Sequence, residues 1–285
     1  MKVRMECIPC FFKQILRVCN ECDFQDLFCM DIMKSVSNIV LKDENLKKTP
    51  PEVSWKMYEK MREITGVKDP YENIKRRLNE DLLNLEGELR KRILESDNPI
   101  LMGLKFAIAG NVIDFGAKDG VRKKDVISNL ERVLHFNPDG DTFLKFLKDL
   151  KKSNKIMYIG DNAGEIVFDK LFIEQLPFEK ITYVVRGEPI INDITMEDAN
   201  YVGITNLVNV IDTGNGIPGV VPHLSSDIFL KAYKESDLII SKGQGNFETL
   251  ESENKNIYFL FQAKCPVIAN YIGLPLNEFV FFNTL

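Results

Sequence analysis

Residues 160–165 read GDNAGE and follow directly on the apolar run KIMYI, so an acid and an amide stand where a buried strand ends. Asp161 and Asn162 offer the hard oxygen donors that a divalent cation prefers. Ala163 and Gly164 leave the backbone open at the start of GEIVFDKLF, and a helix N-terminus of that kind attracts anions. A plain helix cap would account for one of the two polar residues but not for both together with the small pair behind them. Glu165 stands in the first turn of that helix and joins the substrate-binding set. A second group lies in RGEPIINDITMEDA, where Arg186 ends a strand and Asn192 and Asp193 precede the next helix. Asp193 is either a cap or the second carboxylate of an oxygen-only site shared with Asp161. Asp198, one turn further on, is either support for that site or solvated surface.

The stretch SKGQGNFETL supplies Lys242, Gly243, Gly245 and Asn246. Open backbone, a helix start and a lysine are the parts of a phosphate cradle. It is not a P-loop, because the lysine precedes the glycines and no GKS or GKT follows. In AGNVIDFG, Asn111 and Asp114 lie three apart on one face of an apolar helix. They are either hydrogen-bonded structural groups or substrate contacts.

The elements that must position these residues fall into two halves. Residues 1–150 carry three- and four-residue apolar spacing almost throughout, and predict a mainly helical N-terminal domain with one long helix over YENIKRRLNEDLLNLEGELRKRILES. From residue 151 to 285 the chain alternates apolar β-rich runs with helices, which predicts a mostly parallel sheet covered on both faces. Ligands of such sheets sit at the carboxyl ends of the strands. Asp161 with Asn162, Arg186, Asp212 with Thr213, and Lys242 all fall at those ends.

Composition narrows the class. The chain has 285 residues, a formal net charge of −5, and 28% charged against 45% hydrophobic residues. An acidic balance argues against nucleic acid and anionic membrane as partners. With no stretch of membrane-spanning length and no signal-like start, the expectation is a cytoplasmic protein. Only two histidines, His135 and His223, are present. A three-histidine zinc site is therefore excluded, and the chemistry must rest on carboxylates, amides and lysine.

Taken in order, CIPC, AGNVIDFG, GDNAGE, INDITMEDA, DTG and SKGQGNFETL resemble the damage-control phosphatase family over nearly the whole chain. The resemblance implies a Rossmann-like α/β domain on a mainly helical partner. It also implies a divalent-metal-dependent phosphatase (Mg, Mn, Co or Ni) acting on small phosphorylated metabolites. It assigns the metal to Asp161, Asn162 and Asp193, a phosphate contact to Lys242, and the substrate loop to Gly243, Gly245 and Asn246. One departure is that several eukaryotic members read DNSG where this chain reads DNAGE, so no serine contact carries over. Two attack modes stay open: water activated at the metal, or an aspartyl-phosphate on Asp161. Two other classes compete, an S-adenosylmethionine-dependent methyltransferase using the same sheet edge and a phosphometabolite-binding protein without turnover.

Of the six cysteines, Cys7 and Cys10 form a CxxC pair and Cys265 precedes Pro266 near the other end of the chain. The prokaryotic subfamily resembles this chain in having that pair and that cysteine. The expectation is that the three lie close together as a possible second metal site, separate from the catalytic one.

Overall fold

A computed structural model describes residues 1–111 and 123–285, with the side chains of residues 123–125 and 129 left aside. The first three helices, α1 (Cys7–Glu21), α2 (Asp26–Val40) and α3 (Pro50–Thr65), pack on one another through Phe11, Ile15, Val36 and Met57. α3 has strong punctuation: Thr49 and Glu52 form a reciprocal capping box, Pro50 and Pro51 open the helix, and Gly66 closes it in the left-handed conformation.

Where the sequence predicts one long helix, two appear: α4 (Glu72–Leu83) and α5 (Glu86–Leu94). A single rod over those 26 residues would run roughly 40 Å. The break at Asn84 and Leu85 instead folds Leu89 and Ile93 back into the core that also holds Leu82. α6 (Pro99–Gly110), α7 (Lys123–Leu134) and α8 (Gly140–Lys152) complete the helical half.

The second half is a six-stranded sheet in the order β3-β2-β1-β4-β5-β6. Its strands are β1 (Ile156–Ile159), β2 (Ile181–Val185), β3 (Asn209–Asp212), β4 (Leu238–Lys242), β5 (Ile257–Gln262) and β6 (Phe279–Asn283). The first five are parallel, and β6 pairs antiparallel with β5. The apolar, aromatic run FVFFN thus forms an edge strand that the alternation up to β5 does not anticipate.

Period-two alternation divides the strands between two cores. Tyr158, Tyr183, Ile240 and Tyr258 face one core, with α5 to α8, α9 (Glu165–Ile173) and α10 (Met196–Val202) above them. Met157, Val184, Ile239 and Phe259 face the other, under α11 (Asp227–Glu235), α12 (Gln244–Leu250) and α13 (Pro266–Ile272). Apolar packing therefore crosses residue 150, because α5 to α8 share a core with the sheet. Among the described residues, no helix is long and apolar enough to cross a membrane.

From β1 the connections run outward to β2 and β3, then return to β4 and β5 on the other side. The sheet's topological switch point therefore lies between β1 and β4. Loops leaving their carboxyl ends diverge there and leave a crevice.

Candidate active site

The β1 strand leaves the sheet at Gly160, and its successor loop is zipped to the loop after β2. Ile194 N–H donates to Asp161 O at 2.9 Å, Ala163 N–H donates to Asn192 O at 2.9 Å, and Asn162 bridges Asp193 in an isolated antiparallel pair. This zipper brings Asn192 and Asp193 beside Asp161 and Asn162, although thirty residues separate them in sequence. Ile191, just before them, is held at φ +45°, an uncommon conformation for a β-branched residue and one that marks local backbone strain.

The cap readings fail here. The N-cap of α9 is Gly164, at φ +76° and without a side-chain cap, so neither Asp161 nor Asn162 is consumed in capping. Likewise α10 is capped by Thr195 in a reciprocal box with Asp198, which leaves Asp193 to Arg186. Asp198 is a strut: it also accepts from Lys75 at 3.3 Å and Asn79 at 2.9 Å. Asn79 in turn accepts from the N–H of Gly164 at 2.6 Å, so α4 fixes the turn that carries Asp161.

Around Asp161 the side chains interlock. Asn111 and Asn162 each donate to both Asp161 Oδ2 and Glu165 Oε2, at 2.6–3.1 Å. Glu165 Oε1 accepts from Lys242 Nζ at 2.6 Å, and the same ammonium donates to Asp169 Oδ1 at 2.6 Å. Asp169 further accepts from the hydroxyls of Tyr158 at 2.7 Å and Tyr183 at 2.9 Å. On the other side, Arg186 Nε donates to Asp193 at 2.8 Å and Nη2 to Asn246 Oδ1 at 3.2 Å. Asn246 donates to the carbonyls of Gly160 and Lys242, which staples the β1 and β4 loops together.

These contacts revise several sequence-based roles. Lys242 lies wholly buried in an ion pair behind Glu165 and does not line the cavity; neither do Arg186, Gly243 and Asn246. The Gly243 N–H is used by Leu260 O at 3.0 Å. Asn111 does line the cavity, where it also supports Asp161 with its amide and accepts from Gln262 N–H at 3.2 Å. Asp212 and Thr213 lock their own turn through Gly214, Gly187 and Asn215 rather than facing a ligand. Asp114 lies outside the described residues.

The cavity that does open here, about 280 Å³, is lined by Asp161, Asn162, Asn192, Asp193, Gln244, Gly245, Glu248 and Lys264 among others. Cys7, Cys10 and Cys265 line the same cavity. The three thiols share the carboxylate cavity rather than standing apart from it, and among the described residues they form no group that could hold a metal ion. Burial pushes the Cys7 thiol up, and nearby Glu248, Cys265 and Cys10 push it further against a hydrogen bond from the Arg4 N–H. A larger depression, about 410 Å³, lies at the amino ends of β2 and β3, away from the strand ends where ligands of such sheets bind.

Sequence reasoning passed over Lys264, at the carboxyl end of β5, although the rule that picked out Lys242 applies to it equally. It also passed over Asp169, which shares a face of α9 with Glu165 at i+4 spacing. Glu248 was missed too; nothing in the sequence marks it.

Four carboxyl groups (Asp161, Glu165, Asp169 and Asp193) face two buried cations (Arg186 and Lys242). The imbalance is felt at Asp161. Burial and the charges of Glu165 and Asp193 hold its carboxyl well above the usual carboxylate range, against the pull of Arg186 and Lys264. Burial likewise lifts Asp193, to about 6, with Arg186 opposing. Burial alone would push the Lys242 ammonium down, but Asp169 and Glu165 outweigh it and hold it above its ordinary value.

A site with surplus negative charge and oxygen donors fits a hard divalent cation. Asp161, Asn162 and Asp193 would hold it. Among the described residues no three His, Cys, Asp or Glu side chains form a group that could hold a metal ion, so a cation here would also need the amide oxygen of Asn162. Asn192 Nδ2, in the cavity lining, is buried without a partner, a donor that an anionic ligand would satisfy; Arg186 Nη1 is also buried without one, but outside the lining.

Fold and site together define an α/β protein that receives a small ligand at the switch point of its sheet, on an acid–amide cluster. The model of the damage-control phosphatase ARMT1-like domain matches residues 3–280. The damage-control phosphatase PH1575 of Pyrococcus horikoshii is 34% identical over 288 residues, spanning 98% of this chain and 97% of its own. A damage-control phosphatase of Archaeoglobus fulgidus is 32% identical, with 98% of each chain covered. The crystal structure of a DUF89 family protein from Pyrococcus horikoshii superposes with a TM-score of 0.90 at 31% identity, over the whole of both chains. The chain belongs to the damage-control phosphatase ARMT1-like family, and that membership supports a phosphatase-type activity.

Proposed function

We propose that this protein is a divalent-metal-dependent phosphatase acting on small phosphorylated metabolites at the crevice between the β1 and β4 loops. The observation that carries this is the zipper that brings Asp161, Asn162 and Asp193 to one cavity amid surplus carboxylate charge. A divalent cation bound there would polarise a phosphoryl oxygen and lower the pKa of water at the site. The chain's own groups do the rest. Asn111 and Asn162 hold the Asp161 carboxylate in orientation, and the zipper fixes its separation from Asp193. Asn192 Nδ2, which lines the cavity, is a preorganised donor for charge on the transferring group. A cavity of about 280 Å³ suits a metabolite rather than a macromolecule.

The test combines turnover with metal content. Purified protein should hydrolyse an aryl phosphate, lose that activity on exhaustive chelation, and regain it with Mg, Mn, Co or Ni. Elemental analysis should find the bound metal lost in Asp161→Ala. Undiminished hydrolysis by the chelated protein would refute the reading. A panel of sugar, nucleotide and pantetheine phosphates would then define the substrate.

A further inference from the structure

One carboxyl lines the cavity and takes no part in the acid–amide cluster. Glu248 stands on α12 and is 8% exposed. Among the described residues its carboxyl accepts one hydrogen bond, from Gln244 Nε2 to Oε1 at 2.9 Å, and Oε2 accepts none. Gln244 lines the same wall, and its own Oε1 is buried without a partner. A hydroxyl on a ligand would satisfy that acceptor. Gly243, just before α12, packs so closely on Asp161 that a β-carbon there would meet its carboxylate at 2.0 Å. Glu248 lies five residues further on, a rise of roughly 7.5 Å along the helix. One side of the cavity therefore runs from the proposed cation site, past Gln244 and Gly245, to Glu248. Neither histidine is in the lining, and Asp161 and Asp193 are committed to the cation, so Glu248 is the lining carboxyl left over.

We propose that Glu248 is the general acid of the reaction: it gives its proton to the ester oxygen as the phosphorus–oxygen bond breaks, and the organic part of the substrate departs as an alcohol. This rests on the phosphatase reading. The bonding pair stays on the leaving oxygen and takes up the Glu248 proton. Water supplies the new oxygen on phosphorus, its surplus proton passes to solvent, and the Glu248 carboxylate is reprotonated from solvent before the next turnover. The Gln244 N–H fixes Oε1 as an acceptor, which keeps the carboxyl proton on Oε2. Burial lifts the Glu248 carboxyl to about 7, against the pull of Gln244 and of the Met1 ammonium, so the acid form is present at neutral pH. The other titratable groups that share its cavity are Asp161, Asp193, Lys264 and the thiols of Cys7, Cys10 and Cys265.

The experiment compares the manganese-loaded wild type with Glu248→Gln on two esters. One is 4-nitrophenyl phosphate, whose phenolate departs without a proton; the other is phenyl phosphate, whose leaving group is far more basic. Glu248→Gln should lower kcat on phenyl phosphate about 10²-fold or more, and change kcat on 4-nitrophenyl phosphate by no more than about threefold. On phenyl phosphate the wild-type kcat should fall as pH rises through about 7, and the variant should lack that limb. Infrared difference spectra of the metal-free proteins, wild type against variant at mildly acid pH, should show the carbonyl stretch of a protonated carboxyl. Equal losses on the two esters, or no such band, overturn the proposal. If Glu248→Gln does not fold by circular dichroism, the wild type decides alone on a graded series of substituted phenyl phosphates. Its kcat should then be nearly independent of leaving-group basicity, and a steep decline with basicity overturns the proposal. A wild type that hydrolyses neither ester refutes the phosphatase reading and the acid's role with it, whereas hydrolysis of both with equal losses refutes the acid alone.

Discussion

A β-carbon added at Gly243 would lie 2.0 Å from Asp161 Oδ2 and 2.2 Å from its Cγ, so the turn that ends β4 is built against the carboxylate of the turn that ends β1. Gly243 also sits at φ +80°, where an L-residue is strained. Gly243→Ala must therefore move either the loop or Asp161. The expected outcome is a loss of at least about 10²-fold in kcat/KM, because misplacement by about 1 Å is enough to cost that much. Steady-state kinetics beside a melting curve checks it, and normal turnover would show that Asp161 is not the reacting centre's ligand.

The two acids proposed to hold the cation should differ in their effect on stability. Asp161 is crowded by Glu165 and Asp193, with Arg186 no nearer than 4.0 Å. Asp161→Asn should abolish turnover while leaving the melting temperature equal or raised, since it relieves like-charge repulsion in a buried setting. Asp193 instead neutralises the fully buried Arg186, at 2.8 Å. Asp193→Ala should abolish turnover and also destabilise by about 3–5 kcal/mol, the usual cost of orphaning a buried charge. Denaturant midpoints of the two variants decide the matter; equal destabilisation by both would contradict it.

The sheet and the strand-end placement of Asp161 with Asn162 were legible because strand alternation and strand-end polarity are local signals, whereas the switch point needed the strand order. Asp193 was legible only as a pairing of loops thirty residues apart, which the order of the strands then fixed. The role of Lys242 was not legible. A lysine beside two glycines looks like a phosphate cradle until α9 is seen to aim Glu165 and Asp169 at it, and that convergence joins residues more than seventy positions apart. The long charged helix was misread for a related reason. Local pattern continues through Asn84, whereas burial of Leu89 and Ile93 against the sheet demands a turn.

Asn79 tests how far support reaches from the chemistry. Its side chain accepts from Gly164 N–H at 2.6 Å and donates to Asp198 at 2.9 Å. Asn79→Ala should cost about 1–3 kcal/mol, because a buried N–H and a buried carboxylate oxygen lose their partners. Turnover should fall moderately, with metal affinity falling in parallel as the Asp161 turn loosens. A variant that is less stable but retains full metal affinity would confine Asn79 to a folding role.

The thiols at the cavity mouth give a steric prediction. Cys10 is exposed, and it lines the same space as Asp161 and Lys264. Alkylation with a bulky maleimide should block hydrolysis, and inorganic phosphate should protect against it. The Cys10→Ser, Cys265→Ser double variant should retain activity and resist the reagent. Full activity after stoichiometric alkylation of the wild type, confirmed by mass spectrometry, would place the substrate path elsewhere.

Glu248 supplies a prediction in pH. It lines the cavity with 8% of its surface exposed. Burial raises its carboxyl from 4.5 to about 7, and the hydrogen bond from Gln244 offsets this only in part. The folded state therefore binds a proton that the unfolded chain releases near its ordinary value. Sign follows from linkage: the stabilisation is fully present below pH 4.5, declines as pH rises toward 7, and is gone above that. Glu248→Gln keeps the hydrogen-bonding shape without the proton equilibrium. The variant should match the wild type near pH 4.5 and exceed it above pH 7 by up to about 3 kcal/mol, at the conversion of roughly 1.4 kcal/mol per pKa unit. Urea midpoints of both proteins between pH 4.5 and 8 measure the difference directly. Parallel curves over that range would mean that Glu248 ionises in the folded protein as it does in the unfolded chain.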